Sequence, residues 1–110
     1  MQSRSGGGCA QRVRVEGARV VERLRTLGPQ RLARAHEDGV CPAERAHRVA
    51  QRLADLAADA AGRARRPVPR LPDPSAADQL TVLVADVLAE GDEPALASAA
   101  DELTALRRAL

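Results

Sequence analysis

The 110 residues contain no Phe, Tyr or Trp, and Lys, Ile and Asn are missing as well. Without aromatic rings there is nothing to stack on unpaired bases. Without Lys or Tyr, two of the usual carriers of acid–base and covalent chemistry are gone. Long apolar runs are absent too: charged residues interrupt every stretch within about seven positions, far short of the 18 or more a membrane span requires. The opening Met1-Gln2-Ser3-Arg4-Ser5-Gly6-Gly7-Gly8 has no apolar segment behind its charge, so it does not read as a secretory leader. A cytoplasmic location is the resulting expectation. Two cysteines, Cys9 and Cys41, are too few for a disulfide framework and leave a single bridge open.

What is present is small and aliphatic: 23 Ala, 13 Leu and 10 Val supply nearly all of the 45% apolar content. The missing Lys, Ile, Asn, Phe and Tyr have AT-rich codons, which points to a GC-rich genome, as in many bacteria. Arg is then the only strong cation available, and its 17 copies are weak evidence of selection for phosphate binding. Apart from its composition, which resembles that of short Ala- and Arg-rich helical proteins of GC-rich bacteria, the chain shows no family signature.

Residues 1–10 offer little to bury and read as a disordered tail. Gly6-Gly7-Gly8 is not a phosphate cradle, because no strand precedes it and no Lys-Ser or Lys-Thr follows. From Gln11 to Leu27, Val13, Gly17, Val20, Leu24 and Leu27 recur at spacings of 4, 3, 4 and 3 and line one helical face. The alternation from Arg12 to Glu16 also resembles the opening strand of a ribbon-helix-helix DNA-binding domain, although Gly17 and the missing turn signature oppose that reading. A short helix follows over Pro29 to Asp38. The next spans Pro42 to about Arg65, with Pro at its first position and a seam of Ala46, Val49, Leu53, Leu56 and Ala60. Pro67, Pro69, Pro72 and Pro74 impose an extended strap with Val68 and Leu71 turned inward. Asp73 or Ser75 then caps a helix up to Gly91, and Asp92-Glu93-Pro94 opens the last one, in which Leu96, Ala99, Leu103, Leu106 and Leu110 form a narrow seam.

The expected fold is all-α: one domain over 11–110, a small four- to five-helix bundle with a Pro-rich strap (67–74) before a C-terminal acidic helical hairpin (75–110). Residues 1–66 carry net +7 and residues 75–110 net −5, so the two parts should close on each other.

The chemical inventory is thin. His36, Cys41 and His47 lie close in sequence but match no zinc spacing, so neither metal nor cofactor is expected. Cys41, at a helix N-terminus, is the one candidate reactive thiol. Arg66-Pro67-Val68-Pro69-Arg70-Leu71-Pro72 formally matches a basic residue before a PxxP ligand core, which a strap lying on its own bundle explains without a partner. A core so poor in large side chains gains from association. The expectation is therefore a non-enzymatic interaction module, a homodimer or a subunit of a larger complex, presenting Leu96, Leu103, Leu106 and Leu110 to a protein partner. The alternative is a nucleic-acid-associated regulator that contacts phosphates through Arg12, Arg19 and Arg23.

Overall fold

The helical spacings resolve into five α-helices in a computed structural model that describes residues 4–110. They are α1 (Arg4–Thr26), α2 (Pro29–Ala33), α3 (Pro42–Ala61), α4 (Ala76–Glu90) and α5 (Glu93–Ala109), with a 3-10 turn over Asp73–Ser75 ahead of α4. The fold is an all-α helical bundle.

Several boundaries differ from the sequence reading. Helix α1 begins at Arg4, so the expected tail is helical from that residue on, while residues 1–3 lie outside the described residues. Cys9 and Ala10 explain the extension: they sit four and three positions before Val13, continue its stripe, and pack against the core. The same helix passes through Arg12–Glu16, so the period-two alternation there forms no strand. Helix α2 stops at Ala33 and hands over to a turn in which Gly39 takes a left-handed φ of 81°. Helix α3 ends at Ala61 because Gly62 adopts φ 72°, and the amide of Arg63 turns back to the carbonyl of Ala58 at 2.8 Å. Neither Asp73 nor Ser75 caps α4 through its side chain, whereas Asp92 caps α5 by accepting from the amide of Ala95 at 3.0 Å.

The four long helices form a ring in which α1 and α3 face each other across the core, and each packs against both α4 and α5. Helices α4 and α5 meet only near their joining turn, so residues 75–110 are not a lengthwise hairpin. The acidic helices instead take opposite corners, each flanked by α1 and α3, and the two oppositely charged parts of the chain interleave. Ion pairs join them at Arg12–Asp101 (3.1 Å), Arg25–Asp78 (3.2 Å), Arg52–Glu102 (2.9 Å), Arg63–Glu90 and Arg107–Glu16. Arg107–Glu16 is partly buried; the exposed pairs contribute about 0–1 kcal/mol each, so they set register more than stability.

The same pairs give the directions. Along α1, residues 12 and 16 meet 101 and 107 of α5, so these helices run parallel; α1 and α4 run antiparallel, with Gly17 beside Val84 and Arg25 beside Asp78. Helices α3 and α4 also run parallel, since Ala54 borders Leu83 and Arg63 reaches Glu90. A parallel pair of consecutive helices needs a return path along the full length of the first helix. The Pro-rich strap is that path: an extended chain covers about 3.1 Å per residue and requires no internal hydrogen bonds.

The strap is fastened chiefly by Gln51. Its Oε1 accepts from the amide of Val68 at 2.7 Å, and its Nε2 donates to the carbonyl of Arg66 at 3.1 Å and to Asp55 at 2.9 Å. The His47 ring Nε2 bonds the Val68 carbonyl at 2.9 Å, Gln79 donates to the Pro69 carbonyl at 2.8 Å, and Arg70 bridges Glu44 and Asp73. Val68 turns inward as expected, but Leu71 remains 38% exposed. Gln51→Ala strips the Val68 amide of its acceptor and is expected to cost about 1–3 kcal/mol in urea unfolding. It should also speed tryptic cleavage after Arg70. Unchanged cleavage there would show that the strap is held by other contacts.

The core is aliphatic throughout. Leu24, Leu53, Leu80, Leu103, Val13, Val20 and Val87 are its largest fully enclosed side chains, and among the described residues no polar or charged residue is buried.

Candidate functional site

The residues expected at a protein interface fall inside. Leu96, Leu103 and Leu106 are 9%, 0% and 3% exposed in the central cluster, and Leu110 packs against it. Leu96, Leu103 and Leu106 of the α5 seam thus belong to the bundle's own core, covered by α1 and α3, and Leu110 stays partly exposed at its edge. The three arginines of the nucleic-acid alternative are engaged within the molecule. Arg12 bonds Asp101, Arg19 bonds Glu16 at 3.4 Å, and Arg23 donates to the carbonyl of Leu110 at 3.2 Å. Of the three, only Arg12 meets a carboxylate of α5; Arg19 is paired within α1 and Arg23 with a backbone carbonyl.

The small group of potentially reactive residues is dispersed. Cys41 is the N-cap of α3 without a side-chain capping bond, His36 lies exposed in the preceding loop, and His47 points at the strap. Among the described residues, no three His, Cys, Asp or Glu side chains converge as a metal site. Cys9 and Cys41 are free thiols.

Electrostatic perturbation follows the ion pairs and does not single out a cleft. Glu16 is held below the usual carboxylate range by a hydrogen bond from Arg107, reinforced by the charges of Arg107, Arg19 and Arg12. For Glu44, partial desolvation opposes the charged form, but hydrogen bonds from Arg70 and Arg48 outweigh it and lower the pKa. Asp38 and Asp59 are lowered by hydrogen bonds from Arg45 and Arg65. Glu16 ties α1 to α5 and the other three clamp loops and the strap, a structural use of charge.

The feature unexplained by folding lies between the strap and α4. An open groove of about 490 Å³ runs there, its wall almost wholly apolar: Ala54, Pro67, Val68, Pro69, Leu71, Val82 and Leu83. Only three large aliphatic side chains among the described residues are exposed, and two of them, Leu71 at 38% and Val82 at 56%, line this one groove. On the other flank of α4 a second depression of about 240 Å³ is walled by Gly17, Ala18, Val21, Thr81 and Val84, with Arg25 at its edge. Helix α4 is therefore a ridge between two hollows.

A sequence signal for this surface existed. Asp78, Asp86 and Glu90 are the only charges in the 15 residues of α4, and Val82, Val84, Ala85, Leu88 and Ala89 extend the apolar character well beyond the inward stripe. A helix apolar nearly all round belongs in an interior, and in this bundle only one side of it is covered. The groove itself had no signal, because its two walls are about ten residues apart in sequence and meet only through the crossover. No known protein family, curated protein or solved structure matches this chain.

Proposed function

We propose that this chain is a small non-enzymatic helical interaction module that receives an apolar protein surface along the strap and the outer side of α4. The observation that carries the reading is the gathering of Leu71 and Val82 on one apolar groove while Leu96, Leu103 and Leu106 of the α5 seam are withdrawn into the core. Burying exposed aliphatic area is worth about 25 cal/mol per Å², so this groove is where association gains most. The strap supplies a wall already extended and tied down, so little ordering entropy opposes docking.

The test is affinity purification from the cells that make the protein, comparing the wild type with Val82→Asp. Val82 is exposed, so the variant should fold, and a charge placed at the centre of the groove is expected to weaken binding by about tenfold or more. Ser98→Asp, on α5 at the opposite corner, should leave the bound set unchanged. Recovery of the same partners with Val82→Asp would reject the groove as the interaction surface.

A further inference from the structure

We draw no further inference here: the strongest candidate, the apolar groove between the Pro-rich strap and α4, is bordered by charges that balance locally, Arg63 and Arg66 against Asp86 and Glu90, and nothing in the structure shows what covers it.

Discussion

Leu103→Ala is expected to cost about 3–5 kcal/mol, the upper part of the range for a leucine truncated in a sealed core. Leu103 is fully enclosed on α5, between the helices that flank it, and its surroundings are aliphatic with no buried polar residue to draw water into the void. The cavity would stay dry and unfilled, since the neighbouring alanines are too short to collapse into it. Domains of this size are stable by about 5–15 kcal/mol in total, so the variant would stand at the edge of folding. Urea unfolding provides the check: the midpoint should fall sharply with little change in slope. Leu103→Met, which keeps the volume, should lose less than about 1.5 kcal/mol. A loss below about 1 kcal/mol for the alanine variant would mean that α5 is not packed where the structure puts it.

The second large effect is expected at Gly17, where α1 and α4 come close. A Cβ built on Gly17 would stand 3.2 and 3.3 Å from the two methyl carbons of Val84. Gly17→Ala has opposing consequences: about 1 kcal/mol gained in helix propensity against a tight contact that Val84 must yield to, leaving a net change near zero. Gly17→Leu has no such balance. Its side chain must push α4 outward, at a cost of about 1–3 kcal/mol or more, and the shift would distort the ridge that borders both grooves. Combining it with Val84→Ala should recover much of the loss; strict additivity of the two changes would show that they do not share the contact.

The recurrence of leucines at 3 and 4 along residues 96–110 is enough to place a helix and its apolar face, and the structure has both. It does not reveal which surface covers that face. Helix α5 could lie against its neighbour α4, against a partner, or against helices far away in the chain, and periodicity is identical in all three cases. The decisive information was in the connections. The two-residue link Gly91–Asp92 suggests a paired hairpin, but the long strap makes α3 and α4 parallel neighbours and sends α5 to the opposite corner. The uneven division of charge indicated correctly that front and rear close on each other, because Arg12 and Arg25 of the first helix find their carboxylates on α5 and α4. The sequence reading carries the third helix through Gly62 to about Arg65, although glycine is the residue best suited to the left-handed cap that ends it at Ala61; the extension of α1 through three glycines has no such signal, since only the tertiary contacts of Cys9 and Ala10 offset their conformational entropy.

The ring arrangement also constrains how the chain can fold. The apolar stripe of α1 is covered by α4 and α5, and its bond from Arg12 to Asp101 spans 89 residues. Local contacts therefore cannot satisfy the first helix, and its docking must await closure of nearly the whole polypeptide. At translation rates of about 5–20 residues per second, the roughly 50 residues between the end of α1 and the start of α4 take several seconds to emerge. Over that interval Val13, Val20 and Leu24 stand uncovered at the ribosome exit, which makes the nascent first helix the part of this protein with the greatest need of shielding from other newly made chains.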